Sequence, residues 1–282
     1  MAAPTDPAFY QAVIAMAGRL GSKPEDLLWV WASETGFNPN PDPTGAARTI
    51  STLMHPVVDA GILTQAEWDS LPTLSATAQL PFIERYYKKL RDDYIGRKFQ
   101  DTFETYLANA APGLLRHDGQ YNPATTMYGD PNAPAHTSAW SFNWPMDNFP
   151  AASNAASARG ISGSAFNKEF GLQLVSEGLL KGWITLGDLK SFMLRGGVAP
   201  IANAAIAQLK LAQAGGVTTA GYSSSAEESY SPSFGPSFSN PNAPVDVRVA
   251  PSVTTSRPAL TLLELGVVVG VAYFGLRFMN RL

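Results

Sequence analysis

At 282 residues, with 45% hydrophobic and 15% charged side chains, the chain can build one sizeable core plus accessory parts. A net charge of −3 with no dense Lys/Arg block argues against nucleic acid as a partner. The chain has no cysteine, which excludes disulfides and thiolate metal sites, and its three histidines, His55, His117 and His136, are scattered.

The N-terminal Met-Ala-Ala-Pro-Thr-Asp-Pro lacks a basic region followed by an apolar one, so no secretory signal peptide is read there. Residues 7 to 20 place Phe9, Val13, Ile14, Ala17 and Leu20 on one helical face, and Gly21 stops the run. Ser22 with Glu25 three residues on predicts a capping box, with Pro24 tolerated in the first turn. The second helix then runs from about 23 to Glu34, and Gly36 suits a left-handed cap. Asn38 to Gly45, with three prolines, is a loop. Ile50 to Ile62 reads as partly helical, Thr64-Gln65-Ala66-Glu67 opens a short helix, and helices follow over 75–95 and 99–107.

From Ala111 to about Gly163 the chain is rich in Pro, Asn, Gly and aromatics with weak periodicity. A stretch this long is expected to line a site or to carry structure that periodicity misses. Helical spacing returns at 166–180, 186–194 and 201–213. Residues 213 to 258, rich in Ser, Pro, Asn and Thr, read as a disordered linker. Its root-mean-square reach would be roughly 30 to 40 Å. Residues 259 to 279 are apolar apart from Glu264 and Arg277, and 259 to 280 read as a C-terminal transmembrane helix, about 30 Å long, the alternative being an apolar tail packed against another protein. Gly266 and Gly270 give it a G-x-x-x-G face suited to self-association.

The most informative residue is Glu34, at the end of the apolar run Leu27-Leu28-Trp29-Val30-Trp31-Ala32-Ser33. Desolvation and the negative end of the helix dipole both favour its protonated form. A glutamate protonated near neutral pH is what glycosidic bond cleavage needs as a general acid. Trp29 and Trp31 share its helix, and either can supply the apolar wall that raises its pKa. No Gly-x-Ser-x-Gly elbow, HExxH or Walker-type loop competes with this reading, and no metal or cofactor is expected.

The run Ser33-Glu34-Thr35-Gly36-Phe37-Asn38-Pro39 resembles the Glu-Ser-Gly-Phe-Asn-Pro signature of the lysozyme-like lytic transglycosylases, with Thr35 where serine is usual. Gly45-Ala46-Ala47-Arg48-Thr49-Ile50-Ser51 is similar to that family's Gly-Ala-x-Gly-Leu-Ile-Gln stretch, with Arg48, Thr49 and Ser51 in place of Gly, Leu and Gln. Gln79 to Tyr87 is similar to its next helix, and Thr105 to Pro112 to the Tyr-Leu-Ala-x-x-x-Pro of phage-type members. Trp140-x-x-Asn143-x-x-Met146-Asp147 and Gly182 to Leu189 resemble their closing pattern. The resemblance covers roughly residues 7 to 193.

The resemblance implies a mainly α, lysozyme-like (goose-type or soluble lytic transglycosylase-like) domain over 1–212. It implies cleavage of the β-1,4 bond between N-acetylmuramic acid and N-acetylglucosamine in peptidoglycan glycan strands, with Glu34 as the one catalytic group. Candidate sugar contacts are Ser51 and Asn109 for the N-acetyl group and Tyr87, Tyr106 and Trp140 for stacking, with Trp144 beside the last. Asp42 is a possible second carboxylate, although Asn-Pro-Asp-Pro also reads as a turn. Arg48 places a cation near Glu34, which would lower the acid's pKa. Asp147 and Asp188 offer too few oxygen ligands for a cation site.

Together these features predict a membrane-anchored enzyme carried in a bacteriophage virion, opening the host cell wall locally during genome delivery. The alternatives are a virion structural or DNA-ejection protein that kept the fold without catalysis, and a glycan-binding module without turnover.

Overall fold

Asp6 opens the first helix, α1 (Pro7–Leu20), by accepting the Ala8 N–H on its side chain, and Gly21 closes it at φ 70°. Phe9, Val13, Ala17 and Leu20 of the predicted face are buried, Ile14 is only half-buried, and Tyr10 and Met16 are buried beside them. α2 (Pro24–Glu34) starts one residue later than a Ser22–Glu25 box would start it. Pro24 at the first helical position holds Lys23 in extended backbone (φ −84°, ψ 135°), so Lys23 becomes the cap and its side chain makes no capping bond.

The computed structural model describes residues 3–42, 45, 47–133, 138–161, 167–195 and 199–214. The expected linker from 215 to 258 and the expected membrane helix over 259–280, with Gly266 and Gly270, lie outside the described residues. Among the described residues the protein is mainly helical, with eleven helices, and none of them is long and apolar enough to cross a membrane.

After α2 the chain forms a hairpin instead of the expected helical stretch. β1 (Ala47–Arg48) pairs antiparallel with β2 (Leu53–Met54), Ala47 opposite Met54 and Arg48 opposite Leu53. Thr49 and Thr52 sit at φ 74° and 56°, which no α-helix tolerates, so the helical part shrinks to α3 (Pro56–Asp59). α4 (Gln65–Ser70) carries a full capping box between Thr64 and Glu67. α5 (Ala76–Lys89) continues into a π-helical turn over Leu90–Ile95 that Gly96 ends at φ 63°. α6 (Thr102–Ala110) is capped by Asp101, which accepts the Glu104 N–H.

The chain divides into two compact units, one reaching His117 and resuming at Leu194, the other running from Asp118 to Met193. In the first unit α1, α6 and α11 (Ala199–Gln213) pack around α2. Leu27, Leu28, Trp29, Val30, Trp31 and Ala32 are all buried, so α2 is apolar on every side because every side is covered. Each large side chain buried there contributes about 1.5 to 3 kcal/mol. Gln11 on α1 donates its side-chain amide to the Ala212 carbonyl of α11 at 2.7 Å, tying together residues 201 positions apart.

The second unit holds β3 (Thr126–Tyr128), α7 (Ser138–Asp147), α8 (Phe149–Ala158), α9 (Lys168–Ser176), β4 (Ile184–Thr185) and most of α10 (Leu186–Arg195). β3 pairs antiparallel with β4, Thr126 opposite Thr185 and Tyr128 opposite Ile184. The Pro- and Asn-rich stretch thus contains two helices. Pro145 inside α7 and the Ala/Ser-rich face of α8 removed the periodic signal that would have announced them. Trp140, Trp144, Phe170, Leu174, Ile184 and Leu189 form this unit's core. A Cβ on Gly171 would lie 2.7 Å from the Trp144 ring, so glycine is what lets α9 approach α7.

Candidate active site around Glu34

Glu34 is the last residue of α2 and is buried, 8% exposed. The chain must reverse at once. Gly36 and Phe37 do this in left-handed backbone, at φ 59° and 63°, and Phe37 turns its ring into the core against Phe9 at 6.2 Å. Phe37, Thr49 and Thr52 are the non-glycine residues with positive φ among those described. All three lie within 18 positions of Glu34. Left-handed backbone costs a residue with a Cβ about 1 to 2 kcal/mol, and strain of this kind concentrates at functional sites.

The hairpin turn over residues 49–52 is the second half of the site. Thr49, Ile50 and Ser51 are buried, so the turn's backbone groups need partners from the protein. Thr35, just past α2, donates its hydroxyl to the Ile50 carbonyl at 2.8 Å. Gln79 of α5 accepts the Ile50 N–H at 3.0 Å, and its amide donates to the carbonyls of Pro39 (2.7 Å) and Leu71 (3.0 Å). Asn109 of α6 donates to the Ser51 carbonyl at 3.0 Å and accepts the Tyr87 hydroxyl at 2.8 Å. Side chains from three parts of the helical frame therefore fix the turn, and the turn delivers Thr52. Its hydroxyl lies 2.8 Å from Glu34 Oε2 and 2.7 Å from the Ser51 carbonyl.

Burial raises the Glu34 carboxyl from its usual 4.5 to about 7, with hydrogen bonds from Thr52 and Tyr106 pulling the other way. The Tyr86 and Tyr87 hydroxyls are themselves pushed up, chiefly by burial and also by the nearby Glu34 charge. Near neutral pH the carboxyl is present in both protonated and ionised forms. It can therefore give a proton to a leaving oxygen and later take one from an attacking hydroxyl.

Several sequence expectations are corrected here. Arg48 does not face the acid: its guanidinium donates to the Trp68 carbonyl, lies 4.5 Å over the Trp68 ring and pairs with Asp69 at 3.5 Å. The cation therefore leaves Glu34 free to keep its raised pKa. Ser51 is buried with its hydroxyl 3.4 Å from that of Thr49, so this side chain does not extend towards a ligand. Tyr87 and Tyr106 are buried too: Tyr87 bonds Asn109, and Tyr106 packs edge-on to Trp29 at 6.4 Å. Both are buried framework rather than open stacking faces.

Asn109 is only partly buried, but both ends of its amide are engaged within the protein. Trp140 belongs to the second unit, where it is buried and donates its indole N–H to Asp147 at 3.2 Å. Trp144, expected beside it as a groove aromatic, is core as well. Asp42 takes the turn role: it is buried and accepts the Ala47 N–H at 3.2 Å. Trp29 and Trp31 are both core.

Asp147 and Asp188 hold protein donors. Asp147 accepts from the Lys181 and Gly182 N–H groups, and Asp188 from Thr185 and the Lys181 ammonium. Among the described residues no cluster of His, Asp and Glu is arranged to hold a metal ion.

Thr52 is the residue that sequence reasoning missed. It lies in a short polar stretch without period, and only the hairpin brings it to Glu34. Gln79 was visible as part of a motif, but its use as the clamp on the turn was not. No family model matches the chain, and no curated protein or solved structure matches it.

Proposed function

We propose that the chain is a peptidoglycan lytic transglycosylase with a lysozyme-like domain, and that Glu34 is its catalytic residue. The observation that carries this reading is the carboxyl itself. It ends a helix whose run from Leu27 to Ala32 is buried, burial raises its pKa to about 7, and the Thr52 hydroxyl bonds it at 2.8 Å. Protonated Glu34 gives its proton to the glycosidic oxygen, and the bonding pair of the broken C–O bond stays on that oxygen. The carboxylate then takes the proton of the muramyl 6-hydroxyl as that oxygen closes a 1,6-anhydro ring. One group acts in both steps, so the pair of carboxylates used by most glycosidases is not needed.

The resemblance of Gly182 to Leu189 to a phage-type closing pattern, and the apolar stretch 259–280, support a membrane-anchored virion enzyme that opens the wall locally during genome delivery. One observation favours a second reading, a virion structural protein that keeps the frame without turnover. Ser51, Tyr87, Tyr106 and Trp140 are all buried, so few of the expected sugar contacts are presented. Mass spectrometry of the fragments that the full chain releases from purified cell walls separates the two. Anhydromuropeptides with the natural chain and none with Glu34→Gln support the transglycosylase. Reducing ends would make it a hydrolase, and no release at all would leave the structural role.

A further inference from the structure

The Thr52 hydroxyl has one hydrogen and two acceptors within reach, Glu34 Oε2 at 2.8 Å and the Ser51 carbonyl at 2.7 Å. Both contacts are satisfied at once only if Oε2 carries a proton and donates it to Thr52, while Thr52 donates onward to Ser51. When Glu34 is ionised, Oε2 can only accept, and the Thr52 hydrogen has to point at it. The Ser51 carbonyl is not orphaned by that turn, because Asn109 keeps donating to it at 3.0 Å. The geometry thus provides a complete set of hydrogen bonds for each protonation state, differing by the rotation of one O–H.

We propose that Thr52 is the positioning residue for Glu34, its hydroxyl turning from the Ser51 carbonyl to Glu34 Oε2 whenever the carboxyl gives up its proton. No proton passes to or from Thr52, and the proton that leaves Glu34 goes to the leaving-group oxygen. The strained backbone of Thr52 has its reason here. At φ 56° a β-branched residue is held where it is disfavoured, and what it presents in exchange is this hydroxyl. Other titratable groups around Glu34 do not duplicate the role. Tyr86 and Tyr87 of α5, their hydroxyls pushed up by burial, stay neutral in the working range, while Tyr106 of α6 is framework packed against Trp29 and Arg48 of β1 is held at Trp68 and Asp69. Asp42 is engaged with the Ala47 N–H.

The part that Thr52 plays in cleavage rests on the function proposed above, whereas the turning hydroxyl stands on the geometry alone. Both are tested with the full chain carrying ¹³C-labelled glutamate carboxyls, Glu34 being assigned by the signal lost in Glu34→Gln. Its titration is followed in the natural chain and in Thr52→Val, Thr52→Gly and Thr52→Ser. Valine keeps the branching without the hydroxyl, and glycine removes both hydroxyl and strain, so a poorly folded valine variant does not decide the matter. The expected result is a midpoint about one pH unit higher in Val and Gly, with Ser close to the natural chain. The basic limb of the cleavage profile should move with it.

A Gly variant titrating at the natural midpoint overturns the proposal. If the midpoints shift but the natural chain releases no wall fragments, the proposed function falls and the turning hydroxyl stands. If it releases them and the midpoints coincide, the reverse holds.

Discussion

Two helices in this protein end on a buried carboxylate, and the two ends are built differently. Glu34 closes α2 in the first unit and Asp147 closes α7 in the second. Burial pushes both carboxyls above their usual range. Asp147 is met by the N–H groups of Lys181 (3.1 Å) and Gly182 (2.6 Å) and by the Trp140 indole (3.2 Å), all of which can only donate. Those bonds and the Lys181 charge draw its pKa back, and a protonated Asp147 would find no acceptor among them. Glu34 is met by the hydroxyl of Thr52, which donates or accepts as needed. The two buried carboxyls therefore differ in their partners: Asp147 faces groups that only donate, whereas Glu34 faces a hydroxyl that can also accept.

That contrast can be broken by experiment, and the largest effect belongs to the chemistry. Glu34→Gln is expected to cut the rate of anhydromuropeptide release by on the order of 10² to 10⁴, the usual worth of a general acid, with the fold intact by circular dichroism. Asp147→Ala is expected to act on stability, costing about 3 to 5 kcal/mol in urea unfolding, because two buried donors and a part-buried one lose their acceptor. Faster hydrogen exchange at the Lys181 and Gly182 amides would report the same loss locally.

The third expectation concerns pH. Glu34 has a folded pKa above its unfolded one, so its favourable contribution is whole below the unfolded value and is lost as pH rises through the folded value. The window runs from 4.5 to about 7, and the loss across it is about 3 kcal/mol. Unfolding free energies at pH 4 and pH 8 should show this fall in the natural chain and not in Glu34→Gln, which is the more stable of the two at pH 8. The smallest effect is expected at Thr35. Thr35→Val removes the donor to the Ile50 carbonyl and should cost about 1 kcal/mol, while Thr35→Ser keeps the donor and should stay within about 0.5 kcal/mol.

What was legible in the sequence followed physical signals that are local. Gly21, Pro24, Gly36 and Thr64–Glu67 punctuate helices by their own backbone chemistry, so α1, α2 and α4 could be placed from them. Glu34 stood out because a charged group ending an unbroken apolar run is a conflict visible in one dimension. The hairpin of β1 and β2 was not visible, since two-residue strands have no period to read. Nor were Thr49 and Thr52 in left-handed backbone, because nothing in a threonine announces a conformation that its own side chain opposes. Ser51 and Asn109 were both picked out as polar groups able to meet a sugar. They meet each other instead, since a buried turn takes the nearest amide to satisfy its carbonyl.

The return of α11 to pack on α1 and α2, sealed by the bond from Gln11 to the Ala212 carbonyl, has a consequence for biogenesis. A nascent chain emerging from the ribosome displays α1 and α2 long before the helix that packs on both has been made. The first unit cannot complete its packing until translation has passed residue 212, so every prematurely terminated product lacks the helix that closes it. Contacts this distant along the chain also slow the search for the native state. Ribosome-stalled intermediates should therefore remain sensitive to protease in α1 and α2 until the last turn of α11 has cleared the exit tunnel.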